Sequence, residues 1–173
     1  MAGVKMGDRV LQLGCTSGGR LAAIAAKVGL SGRAAAIVDT QAAAARARKA
    51  AAQAGVLIEI EIGSEGALPF EEGSFDLVVL DGTRDRIARM TPEERVTMSR
   101  EAMRVLRTGG RVFAIEDAPR GGLAGALFDR RRADSRYEHS GGAAALLGAE
   151  GLRAVRVLAE REGLRFTEAV KTR

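Results

Sequence analysis

Short β-branched runs alternate along this chain with longer stretches rich in alanine, arginine and leucine, and this alternation constrains the fold more than any other feature. Periods of two and of 3.6 taking turns read as strand-helix repeats, which bury a mostly parallel sheet between helices in an α/β domain. The pattern predicts strands over residues 9–13, up to Asp39, over residues 57–62, and at "FDLVVLD" and "RVFAIE", the last ending at Glu116. Helices are expected over residues 18–27 and in "TQAAAARARKAAAQAG", which Gly55 stops. In "TPEERVTMSREAMRVLRTGG", Thr91 is the expected N-cap, Pro92 opens the first turn, Glu94 completes a capping box and Gly109 ends the helix. The third strand, "LIEIEI", alternates apolar and acidic residues as an edge strand facing solvent would. "FDLVVLD" lacks that alternation and reads as buried on both faces. A loop over residues 117–142 leads to a short helix near residues 143–149 and then to two strands joined by "EREG". The whole is five strand-helix repeats closed by a hairpin.

At 173 residues the chain suits one domain with its own core. With aromatic residues at 3% and no tryptophan, alanine, valine and leucine must fill that core, which requires helices to lie close on the sheet. Lys and Arg number 27 against 22 Asp and Glu, so anions are weakly attracted, but no basic run is interleaved with aromatics and nucleic acid is not an expected partner. Cys15 is the only cysteine, which excludes an internal disulfide and a multi-cysteine zinc site. No signal peptide or long apolar span is visible, so a cytoplasmic protein is expected, with no membrane partner.

The run "VLQLGCTSGG" joins the first strand to the first helix through a turn of small residues. In an open α/β sheet such a turn borders the crevice where ligands bind, and small residues let a ligand approach the backbone. Three segments, "GDRVLQLGCTSGGRLAAIAA", "ALPFEEGSFDLVV" and "EAMRVLRTGGRVFAIE", in this order and spacing, resemble the class I, Rossmann-like methyltransferases that use S-adenosylmethionine (SAM), in their small-molecule branch. The resemblance runs from about Lys5 to Lys171. It implies a seven-stranded sheet of order 3-2-1-4-5-7-6 with a terminal antiparallel hairpin, SAM as cofactor, and methyl transfer to a small molecule.

The resemblance also places roles. Gly14 and Gly18 match the outer glycines of the first motif, beside the amino-acid portion of SAM, with Cys15 a small apolar turn residue between them. Gln12 stands where the family has an acid for the ligand's amino group; its amide oxygen still accepts a hydrogen bond, without the charge. Thr16 replaces the middle glycine. Asp39 is the candidate for the ribose hydroxyls, one residue later than the family's acid, and capping the helix after Thr40 is the competing role. Ser64, with Glu65 beside it, stands at the adenine position.

A general base, if the acceptor must lose a proton, is expected near the ends of strands four and five, where Asp81, Glu116 and Asp117 lie. For each of these acids a capping or solvated surface role is the simpler expectation. Asp81 is also a cofactor candidate. "VVLDGT" resembles the metal-dependent catechol-type branch, but no second ligand accompanies the aspartate and no metal is expected. Tyr137 and His139 are further candidates for a base or lid, with a solvated loop position as the alternative, and Arg130 to Arg132 read as a solvated face. The chain begins almost at the first strand, from which we expect no amino-terminal helix over the cofactor, an open site and a homodimer that closes it. Two other readings stay open: a non-catalytic methyltransferase-like binding or partner protein, motivated by Gln12, Thr16 and Ser64, and a nicotinamide dehydrogenase, disfavoured by the lack of G-x-G-x-x-G spacing.

Overall fold

The computed structural model describes residues 3–15, 18–118 and 135–172. Among the described residues, seven strands and five helices follow in the order β1 (Arg9–Leu13), α1 (Gly19–Val28), β2 (Arg33–Val38), α2 (Gln41–Ala54), β3 (Glu59–Ile62), β4 (Phe75–Gly82), α3 (Pro92–Val105), β5 (Leu106–Asp117), α4 (Ser135–His139), α5 (Gly142–Ala149), β6 (Arg153–Arg161) and β7 (Leu164–Val170). They form one sheet of order β3-β2-β1-β4-β5-β7-β6, parallel except where β7 runs antiparallel to β5 and β6. This is the order that the family resemblance implied.

Alternation along β4 divides the core. Val78 and Leu80 face one side with Met98 and Ala102 of α3 and Leu147 of α5. Leu77 and Val79 face the other with Ile24 and Val28 of α1. Farther out on that second side, Ala43, Ala44 and Ala47 of α2 lie on Ala36 and Val38 of β2. The small side chains bring α1 and α2 together: a β-carbon at Gly18 would come within 2.9 Å of Ala50 Cβ and 3.1 Å of the Ala47 backbone. β3 is the edge, as its acids suggested, yet Ile62 remains 47% exposed.

The capping box of α3 forms as the sequence predicts: Thr91 Oγ1 accepts from Glu94 N at 3.2 Å and Glu94 Oε2 accepts from Thr91 N at 2.8 Å. Its far end does not. The helix stops at Val105, and β5 begins at Leu106, well before the expected Arg111. The cause is tertiary: Lys171 Nζ donates to the carbonyls of Met103 and Leu106 at 2.9 and 2.8 Å, and Gly109 N donates to Lys171 O at 2.7 Å, so the end of the chain draws this segment out of the helix. Gly109, at φ +76°, turns within the strand instead of ending the helix. Part of the expected loop over residues 117–142 is likewise helical, as α4.

One ion pair ties α3 to the β3–β4 connection. Arg104 donates to both Glu101 oxygens and to the carbonyls of Leu68 and Phe70, while Glu101 accepts from Leu68 N at 2.7 Å. These contacts fix the segment that carries Ser64 and Glu65 toward the sheet's carboxyl end.

Thr91→Ala removes one half of the capping box and is expected to lower unfolding free energy by about 1 kcal/mol in urea titration. The bonds from Arg104 hold the Glu101 carboxyl below its ordinary 4.5, against the opposing pull of burial. A carboxylate with a lowered folded-state pKa stabilises above the ordinary value and loses that contribution as pH falls through the folded value. Stability should therefore drop from about pH 5 downward, and Glu101→Gln should flatten this part of the acid limb in urea melts at a series of pH values.

Candidate functional site

The strand order reverses between β1 and β4, and there a cleft of about 850 Å³ opens at the carboxyl ends of the strands. Its walls come from the turn after β1 (Gly14, Cys15), the end of β2 (Val38, Asp39), the loop after β3 (Ser64, Glu65), the turn after β4 (Arg84, Arg86) and the first turns of α3. That size lies within the usual range for a small-molecule site.

Asp39 stands one residue beyond β2, exposed, where the strand has already ended. The one-residue displacement seen in the sequence is absorbed at that end, and the carboxylate lines the cleft. Thr40, not Asp39, caps α2: its Oγ1 accepts from Ala43 N at 3.2 Å and donates to Asp39 Oδ1 at 3.2 Å. Ser64 also lines the cleft, its hydroxyl accepting from Gly66 N at 3.1 Å. Ala67, Met90 and Met98 add apolar wall on the same side. Cys15 is buried, and burial raises its thiol above the ordinary range, so it is a packing residue and no ready nucleophile.

Gln12, Gly18 and Asp81 are not on the cleft wall. Gly18 begins α1 at φ +73° and serves the close contact with α2. Gln12 and Asp81 lie on the same face of adjacent strands, each 1% exposed, with Gln12 Nε2 3.4 Å from Asp81 Oδ2. Arg20 of α1 forms an ion pair with Asp81, and Thr83 Oγ1 donates to the other oxygen at 2.7 Å. The carboxylate is thus fully engaged, contrary to a capping or solvated surface role alone, while Gln12 Oε1 is buried without a partner among the described residues. Thr16 and Arg130 to Arg132 lie outside the described residues.

Arg86 was not singled out by the sequence. Its Nε donates to the Asp81 carbonyl at 2.5 Å and its Nη1 to Glu65 at 2.6 Å, which places the guanidinium against Gly14: a β-carbon built there would collide with it. Arg84 and Asp85 just before it have positive φ, 61° and 57°, a strained pair in the turn that delivers the arginine. The only sequence signal is three arginines in "TRDRIARM", a stretch without strand or helix period.

Glu116 and Tyr137 form a second, separate cluster. Tyr137 OH donates to Glu116 Oε2 at 3.0 Å, Ala143 N donates to the same oxygen at 3.1 Å, and the Arg95 guanidinium lies 4.6 Å from the Tyr137 ring. Both residues are buried, which corrects the expectation of a solvated position for Tyr137, while Glu116 takes the capping alternative by accepting from Ala143 N in the first turn of α5. Burial pushes the Glu116 carboxyl up, opposed by the bond from Ala143, and pushes the Tyr137 phenol up further. Together they pin α4 and the start of α5 to the end of β5. Asp117 accepts from Asp85 N at 2.8 Å, and His139 is exposed on α4. None of these four lines the main cleft.

The sequence pattern of the family described as "Methyltransferase domain" matches residues 10–110. An uncharacterized 37.1 kDa protein in transposon TN4556 of Streptomyces fradiae is 35% identical over 106 residues, 61% of this chain, which spans only 29% of that protein's length. Among solved structures, a SAM-dependent methyltransferase from Aquifex aeolicus superposes with a TM-score of 0.75 at 18% identity, covering 96% of this chain and 84% of its own. A SAM-dependent methyltransferase from Methanosarcina mazei gives 0.69 at 21%, covering 95% and 92%. With its pattern matched over more than half its length, the chain belongs to the methyltransferase domain family.

Proposed function

We propose that the chain transfers a methyl group from SAM to a small-molecule acceptor. The observation that carries this reading is the placement of Asp39, an exposed carboxylate on the wall of the switch-point cleft, with Gly14 on the same cleft and an apolar wall of Ala67, Met90 and Met98. A nucleoside asks for that set: a carboxylate to accept from two neighbouring hydroxyls, a flat apolar surface for the base, and a side-chain-free turn for the remainder. Ser64 supplies a further polar group beside the base. When bound, SAM supplies an electrophilic methyl on sulfur, and the protein's task is to hold donor and acceptor in line while keeping water out. Glu116 and Tyr137, used up in joining α4 and α5, act as structural residues in this reading, and Asp81 orients α1 through Arg20.

A second reading, a methyltransferase-like binding protein without turnover, is favoured by one observation: Gln12 donates to Asp81, the Asp81 carboxylate is paired with Arg20, and neither Gln12 nor Asp81 lines the cleft. Incubation with radiolabelled SAM and a pool of small metabolites separates the two, since binding without label transfer to any acceptor supports the second.

Calorimetry with S-adenosylhomocysteine, the demethylated product, tests the cofactor role directly. The wild type is expected to bind, and Asp39→Ala to weaken binding roughly 10- to 100-fold, the loss expected for hydrogen bonds to a charged acceptor. Because Asp39 is exposed, the thermal midpoint of the ligand-free protein should hardly move. Absence of heat with wild type at millimolar ligand would remove this reading.

A further inference from the structure

We propose that Arg86 is a built-in occupant of the amino-acid end of the cofactor cleft and sets which nucleosides bind there. The inference rests on the reading of the cleft as a SAM site, in which the turn at Gly14 lies beside the amino-acid arm. In that place the structure holds a cation of its own. The guanidinium covers Gly14, tethered by the Asp81 carbonyl through Nε and by the Glu65 carboxylate through Nη1. A ligand arm cannot lie on Gly14 while this group is there, and the arm's ammonium would seek the same two kinds of acceptor that Arg86 now holds.

The resting contact is also incomplete. Arg86 Nη2 is buried with no acceptor among the described residues, and an unmade bond at a buried donor carries a desolvation cost. The turn that delivers it contains two consecutive left-handed residues, Arg84 and Asp85. An arm held by two good bonds, one missing bond and a strained turn is poised to leave when a competitor supplies its own interactions. Binding then proceeds from the fraction of molecules in which Arg86 has swung out, and apparent affinity is reduced by that fraction. A nucleoside without the amino-acid arm avoids the competition.

The test compares S-adenosylhomocysteine with methylthioadenosine, which ends at the sulfur, by calorimetry on the wild type and on Arg86→Met. The variant keeps much of the side chain's length and removes its charge and donors. It is expected to bind S-adenosylhomocysteine on the order of tenfold more tightly while its affinity for methylthioadenosine changes little. Equal or weaker binding of S-adenosylhomocysteine by the variant overturns the inference and leaves the cofactor reading standing; failure of wild type and variant to bind either nucleoside overturns both. Because Arg86→Met leaves Glu65 unpaired and could destabilise the fold, a second measurement uses the wild type. The Arg86 Nε–H resonance, assigned with Arg86→Lys, should show slow solvent exchange in the free protein and lose that protection at saturating S-adenosylhomocysteine. Protection that persists at saturation overturns the proposal.

Discussion

β1 pairs in parallel with β2 on one side and β4 on the other, so the chain's path across the sheet turns back at β1. Helices leaving the two directions diverge, and the sheet is uncovered at the carboxyl ends of those strands. The rest of the molecule depends on that gap. It sets Gly14, Asp39 and the turn after β4 around one cleft although they are far apart in sequence. The same registers place Gln12 and Asp81 on one face of neighbouring strands, close enough to bond.

Arginine does much of the remaining organisation, which suits a core so poor in aromatic residues. Arg20 holds α1 to β4 through Asp81, Arg104 holds the β3–β4 connection to α3, and Arg86 spans the cleft from β4 to the loop after β3. Each guanidinium donates to more than one acceptor or meets a partly buried carboxylate, geometries that outperform an exposed single ion pair. The acids at the sheet's carboxyl end are therefore partitioned. Asp81 and Glu116 face inward to structural partners, Glu65 restrains Arg86, and Asp39 alone of the four is exposed.

Much of the fold was legible because its signals are local. The capping box at Thr91 and Glu94 and the strand at "FDLVVLD" arise from residues within a few positions of one another. The end of α3 was not legible, because Lys171 decides it from the other end of the chain. Of the site, Gly14, Cys15, Asp39, Ser64 and Glu65 were named from motif positions and do line the cleft. Gln12, Gly18 and Asp81 were named by the same reasoning and lie off its wall, since a motif gives distance along the chain and no direction for a side chain.

The sequence by itself determined the alternation of strands and helices and the small-residue turn at Gly14, and its three motif segments carried the family resemblance. Only the tertiary structure decided how the charges are used: that Asp81 is consumed by Arg20, that Tyr137 is buried on Glu116, and that Arg86 lies on Gly14. The physical reason is that periodicity and capping are short-range properties of the chain. Ion pairing depends on which distant groups the sheet register brings within a few ångströms, and no local pattern encodes that.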